Sequence, residues 1–397
     1  VPLAEAAGWG AAGNGGGGKE PVIAEHHHYC EGAVRLRPGG GFFRPESRPS
    51  RDCGVLLARL LGKSGPVRML DAMAGCGIRG LRCAVEGGIR SLWVNDADPD
   101  RLSLLQANLA AAPMGLELHL SSHAAQHLLA GFVEQRRRFE LVDLDAFGCP
   151  TDLLPLALEA VAIDGVLYLA SSDGRSPTGH DRPAAVRRFG AAARAHPASW
   201  ELALRLQLGA IARAAWVLGR GIEPLLSFSE GRTFRTAVRL RRHPVAAEES
   251  HLGLLAHCHG CGDQQQQSLL RLGRWAECSC GAAPLAVSGP LWLGPLQHPP
   301  TLAALQELGD QLPVSLPTAS RRLLARLRSD PGEPARCWPV AEIARRLGQG
   351  PPPLAWLVEQ LRDAGWRAAV SGVMAGQLRS DAPWPQILAA ARARRWS

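Results

Sequence analysis

A chain of 397 residues with 46% hydrophobic and 20% charged residues has the composition of a soluble globular protein and room for two or three domains. No run approaches the roughly 18 apolar residues that cross a bilayer, and VPLAEAAGWGAAGNGGGGKE has neither the charged start nor the apolar block of a signal peptide. These features argue against membrane and secreted classes and set the expectation of a cytoplasmic protein. The net charge of +8 favours an acidic partner, although arginine supplies all but Lys19 and Lys63 of the 44 basic residues, which biased codon usage also produces.

In chain order, residues 1–24 read as a Gly/Ala-rich disordered tail with too little to bury. The HHH at 26–28 reads as a surface tract rather than a ligand set. From Pro66 to about Leu240, short apolar runs alternate with amphipathic stretches. MLDAM, SLWVND, LELHLS, FELVDLD and GVLYLASS are predicted strands; RGLRCAVEGG, RLSLLQANLAA, AAQHLLAGFVEQ and DLLPLALEAVA are predicted helices. That alternation predicts an α/β fold with a doubly wound, Rossmann-like parallel sheet over residues 25–243. PLLSFS and FRTAVRL would close it as an antiparallel hairpin.

Near residue 243 the texture changes to HPVAAEES, a Cys/His cluster and QQQQ, which predicts a boundary and a smaller α+β domain over 244–397. VAEIARRLG and PLAWLVEQLRDAG, separated by GQGPPP and followed by WRAAVSG, fit a winged helix-turn-helix and also a generic packing domain. No solenoid repeat is present.

The segment MLDAMAGCGIRG runs from a strand ending at Asp71 through a turn at Gly75 and Gly77 into a helix at about Ile78. Such a turn lets a ligand approach the backbone, and the helix start offers free N–H groups. It has neither the G-x-G-x-x-G spacing of a dinucleotide site nor the G-K-S/T of a triphosphate site. SLWVND then ends at Asp96, about 20 residues on, where open α/β sheets place the acid that holds ribose hydroxyls. The plainer alternative for Asp96 is a helix cap before PDRLSLL. A glycine turn and a ribose acid without phosphate apparatus fit S-adenosylmethionine better than NAD.

LVDLDAFGCP is the fourth strand and the turn after it, at the sheet edge where ligands bind. An acid followed two residues later by an aromatic suits methylation of a nucleobase amine. A carboxylate and a main-chain carbonyl accept the amine's hydrogens while a ring stacks on the base. Asp145 is therefore the candidate that orients the amine or takes its proton, and Phe147 the candidate that holds the base plane.

Cys258-x2-Cys261 and Cys278-x-Cys280 are two close thiol pairs beside glycines, a pattern suited to a structural tetrahedral Zn²⁺ site. His257 and His259 are secondary alternatives. The other six cysteines are scattered, as reduced thiols are.

These residues together carry a likeness. The chain resembles the tRNA guanosine-26 N2-methyltransferase family through FFRPESRPSRD, LDAMAGCGIRGLRCAVE, VNDADPDRL, DLDAFGCP, SSDG, WELALRL, GIEPLLSFSEGRTFRTAVRL and SGPLWLGPL, with SDAPWPQIL near the C-terminus. The resemblance implies a class I methyltransferase domain that uses S-adenosylmethionine, a C-terminal domain with a small metal site that grips tRNA, and no obligate protein partner. It assigns Arg51 and Arg79 to the cofactor, Asp96 to its ribose, Phe43 to the neighbourhood of cofactor or base, and Asp145 and Phe147 to the D-P-F-G motif. Asp71, Gly75 and Gly77 join the cofactor set. Glu201 and Arg205 read as an i, i+4 helix ion pair worth a few tenths of a kcal/mol.

Two departures from the family stand out. Ala146 replaces its proline, which predicts a less preorganised loop, and SHAAQHL lacks an acid for the adenine, leaving main-chain groups at Ala124 and Ala125. The alternatives are an amine methyltransferase on DNA adenine or a protein amide, and a tRNA-binding chaperone without catalysis.

Overall fold

The computed structural model describes residues 28–278, 280–281 and 285–393. The tail expected at 1–24 and the first two histidines of HHH lie outside the described residues. A short hairpin, β1 (Tyr29–Glu31) and β2 (Val34–Leu36), leads to helix α1 (Arg48–Gly62). Strand and helix then alternate: β3 (Arg68–Asp71), α2 (Ile78–Glu86), β4 (Ser91–Asn95), α3 (Leu102–Leu109), β5 (Glu117–Ser121), α4 (Ala125–Glu134), β6 (Phe139–Ala146), α5 (Leu154–Ala160) and β7 (Val161–Ser171). Helices α6 (Arg182–Phe189) and α7 (Ser199–Val217) precede the hairpin of β8 (Gly221–Glu230) and β9 (Thr233–Arg241).

These strands form one seven-stranded sheet in the order β5-β4-β3-β6-β7-β9-β8. The first five are parallel and the hairpin is antiparallel. The α/β alternation and the closing hairpin therefore stand as the sequence predicts. Helices cover both faces, so the central strands carry almost continuous apolar runs. The alternation of Val142 and Leu144 with acids does not mark a solvent face, since Asp143 is 2% exposed.

After β9 come β10 (Leu252–His257), β11 (Gln264–Ser268), β12 (Ala286–Trp292), α8 (Pro299–Asp310) and α9 (Thr318–Arg328). Strands β11-β10-β12 form a separate antiparallel sheet. This segment shares its cores with the first half of the chain. Leu291 and Trp292 belong to the cluster built on α4, α5 and α7. Leu302, Leu305, Leu308, Leu323 and Leu327 of α8 and α9 belong to the opposite one, with Val55, Leu56 and Leu57 of α1.

The last elements are β13 (Cys337–Pro339), α10 (Val340–Leu347), α11 (Leu354–Asp363), β14 (Ala368–Val370), β15 (Gln377–Ser380) and α12 (Trp384–Arg392). Their strands pair in the order β13-β15-β14, and they close a third core around Trp338, Leu357, Leu361 and Trp384. Two helices sit between the first and second strands of this module, in the order VAEIARRLG, PLAWLVEQLRDAG, WRAAVSG.

Glu201 and Arg205 do not form a surface pair. Both are buried, and Arg379 of β15 joins them, its Nη1 and Nη2 reaching the two Glu201 oxygens at 2.7 and 2.6 Å. Arg379 also bonds Asp330 at 2.8 and 3.0 Å. Arg205 donates to the carbonyls of Trp292, Gly294 and Gly332. A charged knot thus ties α7 to the last module.

Candidate active site

A cleft of about 790 Å³ opens at the C-terminal edge of β3, β4 and β6, under the loop before α1 and the β8–β9 hairpin. Phe43, Arg51, Gly75, Arg79, Asp96, Ala125, Asp145 and Phe147 all line it. Gly77 and Asp71 support it from behind, and Ala124 sits next to it as the residue before α4.

The glycine turn works through backbone geometry. Gly75 and Gly77 adopt φ of 58° and 80°, values that other L-residues rarely take, and Gly77 forms the left-handed start of α2. Asp71 accepts the Gly80 amide at 3.0 Å within the first turn of α2, and Asp96 accepts the Gly75 amide at 2.8 Å. Asp96 thereby fixes the turn to the end of β4 while its side chain remains on the cleft wall. It also accepts the Asp98 amide at 3.0 Å, but the helix cap expected at Asp96 falls on Asp98, whose side chain accepts the Asp100 amide at 3.1 Å.

At the end of β4, Asn95 reaches the loop before α4. Its Nδ2 donates to the His123 carbonyl at 2.9 Å, and its Oδ1 accepts the His123 amide at 3.0 Å. The uncapped start of α4, from Ala125, is therefore held at the cleft by main-chain anchoring. Sequence reading passed over Asn95 because its neighbour Asp96 carried the recognised role.

Asp145 is the centre of the site's electrostatics. Arg79 Nε donates to it at 2.9 Å, and Arg235 Nη2 donates to both its oxygens at 3.2 and 3.0 Å. Burial resists its ionisation, yet the charges of Arg79 and Arg235 hold its carboxyl well below the usual carboxylate range. Beneath it, Asp143 and Asp71 face each other across β6 and β3. Burial and the Asp143 charge push Asp71 up to about 8, against the pull of Arg79. Burial raises Asp143 as well, against the pull of Arg79 and Arg235. Arg235 comes from FRTAVRL on β9 and was missed, because only the β7–β9 register brings it over Asp145.

Arg51 makes a bidentate pair with Glu31 at 2.8 and 2.6 Å and donates to the carbonyls of Arg44 and Pro45. It stiffens the loop that roofs the cleft and stacks on Phe43 at 5.2 Å. Phe43 packs inward on Tyr29. Its neighbour Phe42, missed in the sequence, points the other way: Phe42 is 60% and Phe147 76% exposed, and the rings meet edge to face at 5.3 Å.

The loop with Ala146 is held despite the lost proline. Ala146 pairs with Ser171 in the β6–β7 ladder. Gly148, at φ 81°, donates to Ser172 Oγ at 2.7 Å and accepts at its carbonyl from Ser171 Oγ and the Ser172 and Asp173 amides. SSDG is thus the clamp on DAFG.

Cys258, Cys261, Cys278 and Cys280 converge, with all four Sγ atoms within 4.8 Å of one another. Adjacent sulfurs lie 2.9 to 3.5 Å apart, near the roughly 3.8 Å edge expected for a tetrahedron with 2.3 Å Zn–S bonds. Burial and the surrounding sulfurs push the Cys278 thiol up, a cost that a bound dication would remove. The knuckle is stitched to the last module: Trp384 Nε1 donates to the Cys261 carbonyl and Trp338 Nε1 to the Gly262 carbonyl, both at 2.8 Å, and Arg346 holds Gly260. Among the described residues, no helix is long and apolar enough to cross a membrane.

A family model for N2,N2-dimethylguanosine tRNA methyltransferase matches residues 34–392. The tRNA (guanine(26)-N(2))-dimethyltransferase of Methanosphaerula palustris is 32% identical over 88% of this chain and 91% of its own length. That of Methanoculleus marisnigri is 30% identical over 89% and 92%. A solved Trm1 from Pyrococcus horikoshii, in complex with S-adenosyl-L-methionine, shares the fold with a TM-score of 0.79 at 23% identity, over 92% of this chain and 99% of that one. With nearly its whole length matched, the chain belongs to the N2,N2-dimethylguanosine tRNA methyltransferase family.

Proposed function

We propose that this protein transfers one or two methyl groups from S-adenosylmethionine to the exocyclic N2 of guanosine 26 of tRNA, or of a neighbouring guanosine, as a cytoplasmic enzyme. The observation that carries the reading is the arrangement of an arginine-held Asp145 and two exposed rings at the mouth of a cleft that ends in a glycine turn and a ribose acid.

In this reading Asp96 takes the ribose hydroxyls and the backbone around Ala124 and Ala125 meets the adenine. The amides of the Gly75–Gly77 turn, with Arg79 and the Arg51-braced roof, receive the methionine end. The cofactor supplies an electrophilic methyl group on a sulfonium. Phe42 and Phe147 flank the guanine after it leaves its stack, at a cost of about a few kcal/mol in duplex cases. Asp145 and the Ala146 carbonyl accept the two amine hydrogens and aim the nitrogen lone pair at the methyl. Asp145 is a weak base, but the alkylated nitrogen is a strong acid and loses its proton readily. Release and rotation of the monomethyl amine would permit a second round. The C-terminal half, with the winged-helix order of its last module, grips the tRNA.

The direct test is methyl transfer from labelled cofactor to a tRNA transcript and to a second transcript carrying adenosine in place of guanosine 26, with the nucleosides identified by mass spectrometry. The expected products are N2-methyl- and N2,N2-dimethylguanosine on the first, with the second modified only at a neighbouring guanosine. No transfer to the first, or a product other than N2-methylated guanosine, would refute the reading.

The four thiols fit a structural Zn²⁺, whose role would be to lock the knuckle against Trp338 and Trp384. Cys258→Ser with Cys261→Ser is expected to remove one equivalent of zinc and to cost about 3 kcal/mol, comparable to losing a native crosslink in a small domain. Elemental analysis and thermal denaturation check this; a metal-free wild type of undiminished Tm would count against it.

A further inference from the structure

A second cavity, of about 750 Å³, opens beside the cleft between the loop before α1, the β8–β9 turn and α9. Pro49, Phe228, Ala319 and Leu323 give it apolar walls, and Arg44, Arg322 and Arg326 line it with positive charge. Ala319, Arg322, Leu323 and Arg326 recur at i, i+3 and i+4 spacing, so one face of α9 supplies both the apolar and the cationic parts. Arg326 Nε is buried with no hydrogen-bond partner among the described residues, a state that an anionic ligand would relieve.

The cavity is continuous with the active site. Arg44 and Ser47 line both cavities. The Arg44 guanidinium lies 4.8 Å over the Phe42 ring, which in turn meets Phe147. Of the two acids present, Glu230 is occupied by the Ser50 amide and Arg235, and Glu46 is exposed. Three guanidinium groups therefore face one uncommitted carboxylate.

We propose that this cavity seats the tRNA backbone next to the target nucleotide, a ribose against Pro49 and Ala319 and a phosphate against Arg322 and Arg326. Arg44 stands where that backbone turns toward the flipped base. Phosphate contacts fix register without reading sequence, and an enzyme that extrudes one nucleotide must hold the strand beside it. The inference rests on tRNA being the substrate.

Arg322→Glu, Arg326→Ala and the double variant test it by tRNA binding across a salt series, with cofactor binding and steady-state methylation alongside. The double variant is expected to bind tRNA at least tenfold more weakly and to lose about 1 from the salt slope per phosphate contact removed. KM for tRNA should rise with kcat and cofactor affinity little changed. Wild-type affinity and slope in the double variant would overturn the proposal and leave the cavity to another occupant, such as a peptide. Arg322 is exposed, so Arg322→Glu alone decides the matter if Arg326→Ala lowers stability. A wild type that binds tRNA without methylating it would defeat the reaction proposed above, while the binding curves still judge the cavity.

Discussion

Asp145→Ala is expected to lower turnover on tRNA by roughly 10²- to 10³-fold, the range for losing a positioned group that acts on the reacting atoms, with cofactor affinity close to wild type. The variant removes the amine's acceptor, while Arg79 keeps Asp143 as a carboxylate partner and Arg235 keeps Glu230. Asp145→Asn separates orientation from charge. It keeps a carbonyl acceptor but not the negative charge, so turnover should recover part of the way if orientation dominates and stay at the alanine level if charge dominates. The pH dependence gives a further check. Arg79 and Arg235 hold Asp145 ionised well below its ordinary range, so turnover should show no limb from Asp145 as pH falls to about 4, where an ordinary Asp with a pKa of about 3.9 would be about half protonated. Wild-type turnover in Asp145→Ala would remove the assigned role.

Arg379→Met should destabilise the fold by about 3–5 kcal/mol, the cost of breaking a buried ion pair from one side. Glu201 and Asp330 are both buried with Arg379 between them. Burial opposes the Glu201 charge, and Arg379 and Arg205 hold its carboxyl below the usual range; without Arg379 that balance is lost. Denaturant unfolding reads the effect as a shifted midpoint. Adding Glu201→Gln to Arg379→Met should cost less than the sum of the two single changes, because the second removes a charge that has already lost one of its two arginine partners. Additive costs would show that the knot is not coupled.

The parts of the fold legible in the sequence are those written in local periodicity. The five parallel strands, their helices and the closing hairpin follow from alternating apolar runs, and the glycine turn and Asp96 follow from short motifs at a characteristic spacing. What escaped depends on register between distant segments. Arg235 reaches Asp145 from 90 residues away, and only the β7–β9 pairing shows that its side chain points into the site. Phe42 and Phe43 are adjacent and chemically alike, so the sequence could not tell which ring meets Phe147 and which packs on Tyr29. Glu201 and Arg205 have the spacing of a solvent-facing helix pair, and the partners that bury them lie far along the chain, from Trp292 to Arg379, 178 residues beyond Glu201. The expected loosening at Ala146 considered only the proline, whereas the Ser171 and Ser172 clamp on Gly148 comes from the next strand.

The shared packing of α1 with α8 and α9 has a consequence for how such an enzyme changes over time. Helix α1 carries Arg51 and Ser50, whose hydroxyl accepts from Arg79, and its Asp52 is tied to Ser320 of α9 at 2.5 Å. One face of α9 lines the proposed RNA cavity while Leu323, Leu324 and Leu327 pack into the core that holds α1. A new RNA preference gained by substituting α9 would therefore shift the floor on which Arg79 and Asp145 are aligned. Substrate choice and chemistry are constrained to drift together, and an exchange of C-terminal halves between relatives would have to carry α1 with it.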